Sequence, residues 1–281
     1  MKKILALLVI SCFVLPQMAF GGAWTLTEDH VWMELYGKAT WAKYDFGADR
    51  EKHAKSNGAR SWGWAFNPKI EYGVKKWFTL LGGVEYKEAK YKEYARPAAW
   101  GSYSVKNHSV TSVDVGARAR LLEKPVVISG QIKGFFNTQE GYSLNGQPGI
   151  SDGNDALELR GLIGKKFNTK IPYYVGAEAG YRFNNRDLCN YVPFFVEGGF
   201  WPLKWFLIKS EIDGVFCHDG TGKIEKEYAI WRIGPVFHLL SGNDITRQGK
   251  ALDVALQYGL TFRGRNTSAD QEFVVKVSAQ F

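Results

Sequence analysis

The chain has 281 residues, a formal charge of +8 at neutral pH, a mean hydropathy of -0.25 and an abundance of Gly, Tyr, Phe and Trp. Beyond Leu15 no segment is apolar enough for a transmembrane helix. Slight overall polarity with many aromatics argues against a helical membrane protein and for a transmembrane β-barrel, in which lipid-facing and lumen-facing side chains alternate.

The chain opens on the basic Met1-Lys2-Lys3 and the uncharged run Ile4 to Leu15, followed by Pro16 and the small-x-small site Ala19-Phe20-Gly21. These are the parts of a secretory signal peptide over residues 1–21 with cleavage after Gly21, which leaves a barrel over 22–281. Val9-Ile10-Ser11-Cys12 loosely matches a lipid-attachment box, but cleavage there would expose Phe13-Val14-Leu15. Removing 21 of the 281 residues leaves 260, and loss of Lys2 and Lys3 takes the charge from +8 to +6. That excess reads as loop charge facing anionic lipopolysaccharide, since an exported barrel meets no nucleic acid.

Alternation of apolar and polar residues with a period of two marks twelve strands in order. They are His30–Ala42, Ser61–Gly73, Trp77–Tyr91, Val110–Leu122, Val126–Asn137, Ala156–Phe167, Tyr173–Phe183, Val192–Phe200, Trp205–Phe216, Tyr228–His238, Ala251–Arg263 and Gln271–Phe281. Pro68 predicts an irregular spot in the second, because it cannot donate to a ladder. The connections alternate long and short, as in outer-membrane barrels with brief periplasmic turns and longer outside loops. Ser241–Lys250 breaks the rule, being too long for a turn. In the last segment Phe273, Val275, Val277, Ala279 and Phe281 share one face, over about the 9–11 residues a tilted strand needs to cross a bilayer. A closing strand of this kind, ending on Phe281, is the expected signal to the barrel-assembly machinery. The fold expected is all-β: a single antiparallel up-and-down barrel of about 12 strands with both termini periplasmic.

The stretch Asn67 to Leu80 contains Glu71-Tyr72-Gly73, then Trp77 and Thr79-Leu80, an E-Y-G-x-x-x-W-x-T-L turn between two strands. It resembles outer-membrane transporters of the phenol-degradation (meta-pathway) type and related barrels associated with surface polysaccharide. Gly22-Ala23-Trp24-Thr25-Leu26 and Ala177 to Phe183 are similar to the same group. The resemblance implies an outer-membrane barrel and leaves its solute open.

The strand phases point a charged set into the lumen: Glu34, Lys38, Lys69, Glu71, Glu85, Lys87, Asp114, Arg118, Arg120, Lys133, Glu158, Arg160, Glu178, Arg182, Glu197, Lys209, Glu211, Asp213, Arg232, Asp253, Arg263, Glu272 and Lys276. Either these ion pairs fill a narrow barrel, or they line a water-filled pore. Cys189 and Cys217 fall symmetrically about a turn centred near residue 203 and are expected to oppose each other as a disulfide at the outer rim. Trp77, Trp201 and Trp205 near short turns, with Trp41, Trp62 and Trp100 near loops, suggest two interfacial girdles. His108 and Ser109 are adjacent, so they point to opposite faces of a strand and make a poor nucleophile–base pair. His53 and His218 fall in loops, and no His, Cys or acidic spacing supports a metal or cofactor. The function expected is passage of a small solute through a charged lumen, in the outer-membrane lipid, with no enzymatic activity. The rivals are a structural or interaction barrel of the cell surface and a rim hydrolase.

Overall fold

The computed structural model describes residues 22–94, 102–138, 148–151, 153–186, 188–219, 223–240 and 250–281. Residues 1–21, where the signal peptide is expected, Trp100 and residues 241–249 of the long connection lie outside them. In chain order the strands are β1 (Val31–Ala42), β2 (Tyr44–Phe46), β3 (Lys52–Ala54), β4 (Arg60–Lys75), β5 (Phe78–Tyr94), β6 (Ser102–Leu122), β7 (Val127–Asn137), β8 (Ala156–Phe167), β9 (Tyr173–Asn184), β10 (Asn190–Leu203), β11 (Phe206–His218), β12 (Glu227–His238), β13 (Ala251–Arg265), β14 (Thr267–Ser268) and β15 (Gln271–Gln280).

Twelve of them close into an antiparallel barrel, and β2, β3 and β14 form a separate three-stranded sheet. The barrel closes where β1 meets β15, in register from Trp32 opposite Gln280 to Trp41 opposite Gln271. At its foot Val31 and Phe281 exchange backbone hydrogen bonds of 2.9 and 3.1 Å. Lys76-Trp77 and Lys204-Trp205 make tight turns at this same end, which is called the turn end below; the opposite end carries most of the longer loops, and the long connection between His238 and Ala251 is the exception at the turn end.

The outer wall is an apolar and aromatic belt. Met33, Leu35, Trp62, Trp64, Phe66, Ile70, Leu159, Ile163, Tyr258 and Phe273 are all exposed on it. A soluble protein does not keep a continuous patch of this kind in water, whereas a bilayer accepts it. Trp77 and Trp205 are 56 % and 54 % exposed at the turn end, and Trp41 and Trp62 are exposed toward the loop end. Trp201 departs from the expected girdle. Strand β10 runs on to Leu203, so Trp201 keeps the inward phase and is 4 % exposed. The β4–β5 ladder skips Asn67 and Pro68 between Phe66 opposite Tyr86 and Lys69 opposite Gly83, the irregularity that Pro68 predicts.

Two stretches expected as loops are ordered. The β5–β6 hairpin continues from Lys90 opposite Lys106 to Tyr94 opposite Ser102, where a loop over Lys92 to Lys106 was expected. Water on both sides of this extension removes the polar/apolar contrast that marks a strand within the bilayer. The small sheet pairs Thr267 with Phe46 and Tyr44 with Ala54, and Phe46 is buried. Within it the Glu51 N–H and the His53 ring hold the Asp49 carboxyl below its ordinary range. Arg50 reaches over to Glu227 at 2.9 Å, tying the sheet to β12.

Cys189 and Cys217 form a disulfide with Cα atoms 5.7 Å apart. The bridge is diagonal and not directly cross-strand, because Cys217 stands opposite Tyr191 and the hairpin turns at Lys204-Trp205. Peptide mapping without reductant is expected to recover the two cysteines in one linked pair. The Cys189→Ser/Cys217→Ser double variant should still form a heat-modifiable barrel but lose protease resistance in the 185–190 and 218–227 loops first.

Candidate functional site

The lumen holds two arrangements, a plug at the turn end and a charge network above it. The plug is residues 22–29, which precede β1 and turn back into the barrel. Asp29 N–H donates to Gly73 O at 2.8 Å and Gly73 N–H to His30 O at 3.0 Å, fixing where the segment enters. Leu26 N–H donates to Thr79 Oγ1 at 2.9 Å, and Thr25 Oγ1 to Lys76 O at 2.7 Å. Arg118 Nη1 donates to Trp24 O at 3.1 Å, and the Ser129 hydroxyl donates to Ala23 O. The segment therefore crosses the lumen from β4 and β5 past β6 and β7.

Two glycines make room for it. A Cβ on Gly73 would lie 2.0 Å from Thr27 O, and one on Gly164 would lie 2.3 Å from the Trp24 ring. Ala23 and Trp24 pack with Val127 of β7 and Leu162 of β8 in one buried cluster. Burying Trp24 and Leu26 contributes about 1.5–3 kcal/mol each. The sequence reading missed this plug, although Gly73 belongs to the motif that carries the family resemblance.

Most of the sequence-predicted charges meet in the lumen as pairs. Glu211 and Glu197 stand directly opposite each other on β11 and β10, a repulsive placement for like charges. Lys209 lies between them, 2.7 Å from Glu197 and 3.1 Å from Glu211. Lys276 adds a contact to Glu211 at 3.2 Å, and Arg232 joins Glu211 and Asp213, each at 3.4 Å, to Glu272. Lys38 reaches Glu272 at 3.9 Å, and Lys69 reaches Glu34 at 3.1 Å. Across the barrel Arg182 pairs with Glu158 at 2.7 Å, and Arg160 joins Glu158 to Glu178 at 3.1 Å. Lys133 meets Asp114 at 2.6 Å, Lys87 meets Glu85 at 2.7 Å, and Arg118 meets Glu71 at 3.4 Å.

Three of the predicted residues lie elsewhere or find unexpected partners. Arg120 sits at the turn-end rim, donating to Lys76 O at 2.8 Å. Arg263, beside the bulge at Ala229/Ile230, is exposed with its guanidinium 5.7 Å from the centre of the Phe216 ring. Phe216 is itself exposed, so Arg263 faces outward at the loop end, where the bulge has shifted the alternation by one. Asp253 accepts from His238 Nδ1 at 2.7 Å while Trp201 Nε1 donates to His238 Nε2 at 3.0 Å. His238 was absent from the sequence-predicted set, because a strand-end His carries no spacing signal. At the loop end His108 is exposed and stands opposite Glu88, and the His218 ring lies 5.7 Å from Tyr181. Among the described residues, no three His, Cys, Asp or Glu gather in an arrangement suited to a metal.

Between plug and wall is a cavity of about 250 Å³, lined on one side by Gly22, Arg118 and Glu178 and on the other by Glu197, Gln257 and Gln280. Glu197 Oε1, both amide atoms of Gln257 and Gln280 Nε2 are buried without a hydrogen-bond partner. Unpaired buried polar atoms are costly, roughly 1–3 kcal/mol each. A cavity of about 150 Å³ already accepts a benzene-sized guest. This one combines that room with unused donors and acceptors.

No family description and no curated relative matches the sequence. Among solved structures, an outer-membrane channel from Pseudomonas putida F1 is similar over 94% of this chain and 100% of its own, at 10% identity and a TM-score of 0.65. The transport unit of the autotransporter AIDA-I from Escherichia coli covers 100% of this chain and 97% of its own, at 9% identity and a TM-score of 0.47. The first likeness is one of fold.

Arg232 is the hub of the network, itself 6 % exposed and shared by three carboxylates. Arg232→Met should cost about 3–5 kcal/mol, the usual loss on breaking a buried pair. The temperature at which the folded gel band converts to the unfolded one should fall, and by more than for Lys38→Met.

Proposed function

We propose that this protein is an outer-membrane facilitator for a small solute, with the turn end and both chain termini in the periplasm. The single observation that carries the reading is the cavity between plug and wall, with unpaired polar atoms inside an otherwise ion-paired lumen. A solute passing through the cavity can exchange its own hydrogen bonds with these donors and acceptors in place of water. Apolar lining from Phe195, Leu207 and Val236 beside Gln257 suits a solute with one polar edge and one apolar face. The plug is the gate in this reading, and the paired charges are the fixed wall behind it. Resemblance to phenol-degradation-type transporters supports a facilitator and names no solute. The outward Phe273, Val275, Val277 and terminal Phe281 serve as the signal to the barrel-assembly machinery, and outer-membrane lipid with lipopolysaccharide surrounds the belt.

The rival is a sealed barrel of the cell surface, favoured by how fully the plug and ion pairs occupy the lumen. Planar-bilayer conductance separates the two. Refolded chain starting at Gly22 should give small, salt-proportional steps, and chain lacking residues 22–29 should give steps several-fold larger. Silence from both, with folding verified by heat-dependent gel mobility, would overturn the channel reading. Equal steps from both would remove the plug as gate.

A further inference from the structure

We propose that cleavage after Gly21 makes Gly22 a lumenal ion-pair partner, its new α-ammonium pairing with the Glu178 carboxylate and latching the plug inside the barrel. The latch rests on the cleavage site expected from Ala19-Phe20-Gly21 and holds whether or not the lumen conducts.

The geometry is close. A Cβ built on Gly22 would lie 1.7 Å from Glu178 Oε1 and 2.9 Å from Leu162 Cδ2. With a Cα–C bond of about 1.5 Å, Oε1 lies within roughly 3.2 Å of the Gly22 Cα. The amino nitrogen, about 1.5 Å from that Cα and at a tetrahedral angle to the Cβ direction, then lies roughly 4 Å from Oε1, an ion-pair separation that a small turn of the freed terminus would shorten. Arg160 Nη1 donates to the other oxygen, Oε2, at 3.1 Å, so the carboxylate is already oriented with Oε1 toward Gly22. The next two residues are held by Ser129 and Arg118 through their carbonyls, which leaves the terminus little freedom to swing away.

Two further features fit. Glycine lets the terminus approach this closely, since a Cβ would push Glu178 Oε1 away, and cleavage after Gly21 leaves a glycine first. Charge also fits, because carboxylates outnumber cationic side chains by five to three in the cavity lining. An ammonium added at Gly22 reduces that excess in a half-buried region, where a charged pair is worth more than at a surface. Export and processing thereby supply a group that the unprocessed chain does not have.

The sign of one pKa separates the latch from simple burial. Burial alone pushes an amine below its ordinary range of about 7.7–8.0, whereas an opposing carboxylate raises it. The test uses mature protein purified from the membrane in detergent. Its intact mass should place the first residue at Gly22. Acylation of that amine by a water-soluble succinimidyl ester is then followed by peptide mass spectrometry across pH 6–10, in folded and in denatured protein. The folded barrel should react at least tenfold more slowly near pH 8, with its midpoint raised by a unit or more, and Glu178→Gln should remove the rise. A different first residue, a midpoint at or below the ordinary range, or a raised midpoint that survives Glu178→Gln would each overturn the latch. Should Glu178→Gln fail to fold, Gly22→Ala supplies the second comparison: its methyl displaces the terminus from Oε1, and the midpoint must drop back. None of these readouts depends on conductance, so a silent bilayer would leave the latch standing and a failed latch would leave the channel reading standing.

Discussion

In a bilayer every backbone N–H and C=O must find its partner inside the protein, since lipid offers none. The whole structure follows from how this chain meets that demand. β1 and β15 are distant in sequence, yet their ten-residue register from Trp32 to Trp41 removes the last two free edges. Once the sheet is closed its residues are sorted by parity alone. Odd and even positions along β15 send Phe273 and Val275 outward, and Glu272 and Val274 inward with almost no exposure. The same sorting on other strands gathers carboxylates and cations into one narrow space. Pairing there is compulsory, because an isolated ion in such surroundings costs several kcal/mol.

A lumen lined with pairs is still not filled by them. Long Arg and Lys side chains on β11, β12 and β15 span the side of the barrel around Glu211, and Arg160 and Arg182 span the side around Glu158. Below, around Thr79, Ser129 and Gly164, the inward residues are small. Trp24 and Leu26 fill that volume from a segment with no strand pairing of its own. Small wall residues and a bulky insert are thus complementary halves of one packing solution.

These two halves differ in how far the sequence discloses them. Alternation reveals the barrel strands because it is local: Leu252 to Phe262 on β13 can be read without knowing any neighbour. The register-shifting bulges cannot be read this way, which is why Arg263 was assigned to the wrong side of the wall. Lumenal pairs are half legible, since phase gives a side chain's face but not its height, and Arg232 finding Glu272 needs both. The plug is illegible. Residues 22–29 have no period, and their partners at Thr79, Arg118 and Ser129 are spread over three strands that only closure brings around one point. Trp201 was misplaced for a simpler reason: it was expected beside the turn near residue 203, but the strand continues past it to Leu203.

The energetics of the plug explain why its anchorage matters. Ordering a backbone costs roughly 1–2 kcal/mol per residue, and this segment runs from Gly22 to Asp29. Against that stand five hydrogen bonds through Ala23, Trp24, Thr25, Leu26 and Asp29, each about 1 kcal/mol net. Burial of Trp24 and Leu26 adds about 1.5–3 kcal/mol apiece. The Lys75–Glu28 ion pair and the Tyr72 hydroxyl donating to Asp29 at 3.1 Å add only exposed contacts, so the plug is held by a narrower margin than the wall pairs, whose separation would strand buried charges. A segment held by that margin responds to a single added contact at its free end. Charge at Gly22 would be felt as a change in the docked population, while the same charge placed among the wall pairs would be absorbed by groups that have nowhere else to go.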